Sequence, residues 1–427
     1  MDADQRAGPT GPGGPGPLRR NRDFNLLWAG QAISSLGSQI SVIAYPLLIL
    51  AATGSAAKAG LVGGASLTGT LLLLLPAGVV ADHYPRRRIL IVTSLTQMTV
   101  AGTVVPAALT GHVYIAHLAA VGFAQGAAGA FYTGASRGAV RRIVPASQLR
   151  EAMAATQARD QAAALLGPPA GGALFGLARS LPFAADAVSF GAIAAAAALL
   201  RTSLDPQRAA GQAREPLRRA ITTGLRFLLG HPYLRTVAIW AAAVNTIAAG
   251  MLLMVIVLAR SRGATPVEIG ALLSINAACG LAGAVGAPRL IRLAGGRNLA
   301  LLTSWLLPAC GAGIAFARWV WLIGVLGAVT TFTVMPVNVL LLSFATQITP
   351  DELQAQSGNA LQLCSISLSW AAPPVFGALT DRLGPRPAIL IAAGLYAVTA
   401  GWLQASRSLR LLDEPPGQAA AAAAGGG

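Results

Sequence analysis

Gly78-Val-Val-Ala-Asp82-His-Tyr-Pro85-Arg86-Arg87-Arg88-Ile-Leu90 is the stretch that decides the class of this chain. It separates two long apolar runs, about 57–81 and 89–110. Each run is long enough to cross a hydrocarbon slab of ~30 Å, which takes about 20 helical residues. Three arginines cannot rest in hydrocarbon, so the loop lies at a membrane surface, and the positive-inside rule makes that surface cytoplasmic. An aspartate at the membrane edge beside an arginine cluster can pair with a neighbouring cation or a helix N-terminus. Such a pair can hold one arrangement of a helix bundle and release another. Arginines that merely set topology are the plainer reading of the same residues.

The composition agrees with a polytopic membrane protein. Of 427 residues, 54% are hydrophobic and 11% charged, against about 25% charged in soluble domains. The net charge of +16 would suit nucleic acid, but the arginines sit in short segments between apolar runs, where they face anionic lipid heads. Cys279, Cys310 and Cys364 are odd in number and lie within apolar runs, so neither a disulfide framework nor a metal site is expected. His83, His112, His117 and His231 have no ligand spacing. No phosphate-cradling loop, nucleophile elbow or HExxH motif is present, so catalysis and direct use of ATP have no sequence support. No cofactor and no enzyme activity are expected.

Apolar length and breaker residues divide the chain into twelve candidate spans. The first six are about 26–52, 58–81, 89–110, 113–135, 154–178 and 181–200; the second six are about 235–259, 268–288, 298–316, 319–343, 356–380 and 387–405. The expected organisation is a disordered cytoplasmic tail over 1–23 and a six-helix half over 24–200. A cytoplasmic linker over 201–232 follows, then a second six-helix half over 233–405 and an Ala/Gly-rich disordered tail over 406–427. Leu217, Ile221, Leu225 and Leu228 repeat at helical spacing, which suits an amphipathic linker helix lying on the membrane. With both termini inside, 24 of the 31 basic residues fall in cytoplasmic segments and seven in outer ones. That asymmetry supports an even number of spans.

An internal repeat supports two halves. Gly167-Pro168-Pro169-Ala-Gly171-Gly172-Ala-Leu174 recurs as Ala372-Pro373-Pro374-Val-Phe-Gly377-Ala-Leu379 at one constant offset. Gly286-Ala-Pro-Arg289 and Arg297 fall where Gly78 and its arginines fall in the first half, with Arg292 in place of Asp82. Parallel duplication around a central site is a known transporter architecture.

These motifs carry a family resemblance. The loop at 78–88 resembles the Gly-x-x-x-Asp-x-x-Gly-Arg-Arg loop between helices 2 and 3 of major facilitator superfamily transporters, with Pro85 where that pattern usually has Gly. Gly167-Pro168-Pro169-Ala-Gly171-Gly172, in span 5, resembles the Gly-Pro-x-x-Gly-Gly signature of drug antiporters in the same superfamily; ordinary small-residue packing is the alternative. Ala135 to Pro145, Gly224 to Arg235, and Trp28-Ala-Gly-Gln31 with Ser35-Leu-Gly37 look like the macrolide-efflux and siderophore-exporter branch, where Ser38 replaces a common acidic residue. The arginine that proton-coupled antiporters often carry before Gln125-Gly126 is absent. The resemblance implies an all-α fold of twelve helices in two pseudo-symmetric halves, working by alternating access. Gly78, Asp82 and Arg86–Arg88 would form a conformational latch, and Gly167, Pro168, Gly171 and Gly172 a flexible element.

Within the spans, an acidic side chain is costly and functional by default. Asp186, near the outer end of span 6, reads equally as a proton or cation site and as a cap at a helix start. Asp160 beside Arg159 reads as a structural ion pair. Gln31, Gln125, Asn245, Asn276 and Asn338 are polar groups on apolar helices that line a substrate cavity or hydrogen-bond between helices. The expectation is a monomeric, multi-pass exporter of a small amphipathic molecule in the cell membrane, driven by protons. Its partners are that molecule, protons and the lipid bilayer, with no nucleic acid. An importer of a polar nutrient, or a membrane protein that transports nothing, fits the same fold.

Overall fold

The computed structural model describes residues 18–204, 217–350 and 353–406. The expected disordered tails lie outside these residues from 1 to 17 and from 407 onward, as does the linker over 205–216. The described chain is helical. Helix α1 covers Arg22–Thr53, α2 Ala56–His83, α3 Arg86–Gly102, α4 Val104–Thr110, α5 Ile115–Ile143, α6 Leu149–Leu177 and α7 Leu181–Leu199. After the linker come α8 Leu217–Gly230, α9 Pro232–Ser261, α10 Pro266–Ala294, α11 Gly296–Phe316 and α12 Val320–Ile348. The chain ends with α13 Gln354–Ile366, α14 Ala372–Leu383 and α15 Pro385–Ala405. Among the described residues nine helices are long and apolar enough to cross a membrane. This is a multi-pass membrane protein.

Ten of the expected spans coincide with one helix each. The run 89–110 is divided between α3 and α4 at Thr103, and the run 356–380 between α13 and α14 over 367–371. The helices begin and end on local signals. Asn21 accepts from the Phe24 amide at 3.0 Å to cap α1. Gly54, with φ of 68°, closes α1 in the left-handed region that glycine adopts without steric cost. Thr265 and Glu268 form a reciprocal capping box on α10.

Packing follows the small residues. In the first group α1 packs against α6 and α7, and α5 against α2 and α3; in the second, α10 packs against α12, and α11 against α12 and α15. Linker helix α8 packs against α13, where Gly224 meets the backbone of Gln356, and Leu228 is buried. Two helix pairs make most of the contact between the groups: α2 with α14, and α6 with α10.

Candidate functional site

The two joining pairs are equivalent, and the repeated Pro-Pro sequence lies in both. A Cβ on Gly60 of α2 would sit 2.6 Å from the Pro373 carbonyl carbon, and one on Gly377 of α14 would sit 2.9 Å from that of Ala56. In the other pair a Cβ on Gly270 of α10 would sit 2.7 Å from the Pro168 carbonyl carbon, and one on Gly172 of α6 would sit 2.6 Å from that of Pro266. Only glycine allows backbones to approach this closely. All these contacts lie at the end of the bundle that carries Ser55, Leu177, Thr265 and Leu383. Toward the opposite end, Gly78 and Gly358 each face open space.

Helix α6 runs unbroken through Pro168 and Pro169. Pro169 has no N–H to offer the carbonyl four residues back, which leaves the Leu165 oxygen free. Ser274 of α10 donates its hydroxyl to that oxygen at 2.5 Å. The missing helix bond therefore becomes a bond between the two groups. Gly167 and Gly171 pack the other side of α6 onto Gln39 and Ile40 of α1.

Behind this seal lies a cavity of about 520 Å³. Its polar wall comes from Ser38, Ser41 and Tyr45 of α1, Thr70 of α2, Gln125 of α5 and Asp186 of α7. The facing wall is apolar, with Ala249, Leu252, Leu253 and Ile256 of α9. Asp186 is 2% exposed and does not cap its helix. One carboxylate oxygen accepts from the Ser41 hydroxyl at 2.8 Å, while the other is buried with no partner. A buried acid with an open acceptor is either neutral or awaiting a cation or donor. Phe183 packs edge-on against Tyr45, with ring centroids 4.9 Å apart, and so backs the polar wall.

A second, more polar recess of about 300 Å³ shares Ser38, Gln97, Gly129 and Phe190 with this cavity. Its charged members are Arg159 and Asp160, paired at 2.8 Å. Arg159 also donates to Gln31, which is 3% exposed and donates in turn to Ser136 at 2.5 Å. The structure thus places Gln31 in a network that joins α1, α5 and α6. A larger apolar groove of about 700 Å³ lies between α2, α3 and α5, with Arg88 its one charged lining residue.

The remaining expected site residues lie apart from the cavity lining. Asn245 is exposed on α9 and donates to Ala241 of its own helix at 2.8 Å. The Asn276 side chain sits against Gly327 of α12, and Asn338 is exposed on α12. In the 78–88 loop the Asp82 side chain lies outside what the structure describes. Arg86 donates to the Gly138 carbonyl at 3.4 Å, Arg87 donates to the Ala198 carbonyl, and Arg88 is exposed. Two of the arginines therefore bind carbonyls near the C-terminal ends of α5 and α7, where a helix dipole favours cations.

Two equivalent helix pairs meeting over a central cavity are the architecture of a secondary transporter. The chain belongs to the major facilitator superfamily, which it matches over residues 27–370. It is 27% identical over 399 residues to the multidrug efflux pump Tap of Mycolicibacterium fortuitum, a match that spans 89% of this chain and 95% of that protein. The multidrug efflux pump Tap of Mycobacterium tuberculosis H37Rv is 28% identical over 434 residues, spanning 94% and 99%. In fold, the chain is similar to a bacterial homologue of the human lysosomal transporter Spinster in an inward-facing, unoccupied conformation. That match has a TM-score of 0.75 and 14% identity, covering 94% of this chain and all of the other. The nucleoside transporter NupG aligns with a TM-score of 0.74 at 12% identity, covering 90% and 99%.

Proposed function

We propose that the chain exports a small amphipathic molecule across the cell membrane by alternating access, with its Arg86 end and both termini in the cytoplasm. The observation that carries this reading is the cavity with two unlike walls. Asp186, Ser41 and Gln125 offer polar contacts on one side, and α9 offers a sheet of aliphatic side chains on the other. A molecule with one polar and one apolar face satisfies both walls, whereas a fully polar solute leaves α9 unmatched. Twelve spans follow if α3 with α4, and α13 with α14, each cross once; the arginine distribution supports that count. The tight contacts at the Ser55 end and the open space at Gly78 correspond to an inward-facing state. In this reading a proton and the substrate compete for Asp186, and the inward proton gradient drives export. The resemblance to the multidrug efflux pumps supports the outward direction; the proposed unit is a monomer.

Liposomes carrying the purified protein test the proposal. An imposed pH gradient should drive a fluorescent amphipathic amine toward the Ser55 side, and a protonophore should abolish the movement. Saturable uptake of a polar nutrient toward the Arg86 side would replace this reading with the importer. No flux of any solute would leave a membrane protein that does not transport.

A further inference from the structure

The two helix pairs that close the Ser55 end are capped differently, and the difference is chemical. Ser55 and Thr265 are the N-caps of α2 and α10, each five residues before the glycine that seals its pair, Gly60 or Gly270. On α10 the carboxylate that completes the cap is Glu268, three residues after Thr265. Glu268 accepts from the Thr265 amide at 2.7 Å and from its hydroxyl at 2.9 Å. The matching position on α2 is Lys58, which cannot accept a hydrogen bond. Its place is taken from the other half of the molecule. Asp381, in the last turn of α14, accepts from the Ala56 amide at 2.7 Å, the Ala57 amide at 3.0 Å and the Ser55 hydroxyl at 2.6 Å.

The partner helices differ in the complementary way. Across the Pro-Pro repeat, the position on α6 that matches Asp381 is Gly176, which faces open space. One pair thus caps α10 from within its own helix, and its bond across the interface, from Ser274 to the Leu165 carbonyl, involves no carboxylate. The other caps α2 across 325 residues of sequence. A carboxylate on the first amides of a helix is favoured by both hydrogen bonding and the helix dipole. Here that gain exists only while α2 and α14 touch.

We propose that Asp381 is a positioning residue that locks the Ser55 end of the transporter closed by capping α2 across the interface between the halves. This rests on the transporter reading of the fold. Opening that end separates Asp381 from Ala56 and Ala57, so the lock acts on the conformational equilibrium and not on the folding of either half. The α6–α10 seal carries no such charge and parts without losing its cap.

The test uses the full chain with Cys279, Cys310 and Cys364 replaced by serine and Ala249→Cys as a cavity reporter. A membrane-impermeant maleimide is added to vesicles of each orientation. The unmodified lock should give fast labelling from the Arg86 side and slow labelling from the Ser55 side. D381A and D381G, which remove the acceptor, should raise the rate from the Ser55 side roughly tenfold, the scale of losing a helix cap. The double variant K58E/D381G rebuilds on α2 the cap that α10 has. It should keep the parent melting temperature while labelling as fast as D381G, which separates a lost lock from a frayed helix. E268Q, whose cap stays within α10, should leave the rate unchanged. The proposal is overturned if D381G labels like the parent, if K58E/D381G returns to the parent rate, or if the parent labels faster from the Ser55 side. Efflux is measured separately: variants that label faster in a chain that moves no solute would keep the lock and sink the transporter reading.

Discussion

Adding a single methyl group at Gly270 should open the Ser55 end. The new Cβ would stand 2.7 Å from the Pro168 carbonyl carbon and 2.8 Å from the Pro169 Cα. Those are backbone atoms, so no rotamer change relieves the clash. Either α6 and α10 move apart or the methyl is not accommodated. Overpacking of this kind typically costs about 1–3 kcal/mol. The cost falls only on the closed arrangement, because the methyl meets solvent once the pair separates. A bias of that size changes the ratio of open to closed molecules by roughly 5–150-fold. Spin labels at Leu109→Cys and Leu383→Cys, near the Ser55 end on the two sides of the interface, report the separation directly. G270A should add or enlarge a longer-distance population. G176A places the same methyl on α6 where nothing lies within 4 Å and should leave the distribution unchanged. Identical distributions in the parent and G270A would refute the claim that this contact closes the molecule.

Other outcomes follow from the same geometry. S274A leaves the Leu165 carbonyl without its partner, and a buried hydrogen bond of this kind is worth about 1 kcal/mol; labelling of the cavity from the Ser55 side should rise roughly fivefold. R87Q removes the tie from α3 to the end of α7 and should lower the melting temperature by about 1–2 °C without changing which side of the cavity is open. Asp381 also makes a pH prediction. Partial burial pushes its carboxyl up, but hydrogen bonds from Ser55, Ala57 and Ala56, together with the nearby Lys58 charge, pull it below the ordinary carboxylate value. A depressed carboxyl stabilises above its ordinary value and loses that contribution only as pH falls through the depressed one. Acidifying the Ser55 side from about pH 7 to about pH 5 should therefore leave the closed end closed, and faster labelling at about pH 5 would contradict this.

Much of the fold was legible because apolar length is the dominant signal in a membrane chain. The arginine loops marked where the runs end, and the Pro-Pro repeat marked equivalent helices. The same dipeptide did not fix local geometry. α6 continues through Pro168-Pro169, while Pro373-Pro374 open α14 after the break at 367–371. The residue before a proline is biased away from the helix, and tertiary contacts decided each case. Within the site, Asp186 stands out as an acid in an apolar run, whereas Ser41 and Tyr45 carry no signal of their own in the sequence. Asn245 looked as suitable as Gln125 because helices that are apolar on every side do not show which face points inward. The cap from Asp381 was the hardest to read. Asp381 lies just past the apolar run 356–380 beside Arg382, and its partner lies in the other half of the sequence. The available signal was local: Ser55 is followed three residues later by Lys58, where a capping box carries Glu or Gln.

The most direct test of the account compares the parent with D186N in sealed liposomes under an imposed pH gradient, following a fluorescent amphipathic amine. Asparagine keeps the size of the side chain and its bond to Ser41 but cannot bind a proton or balance a cation. Gradient-driven efflux is expected in the parent, and its loss in D186N at an unchanged melting temperature. Efflux that D186N sustains at the parent rate, with the same dependence on the gradient, would contradict it.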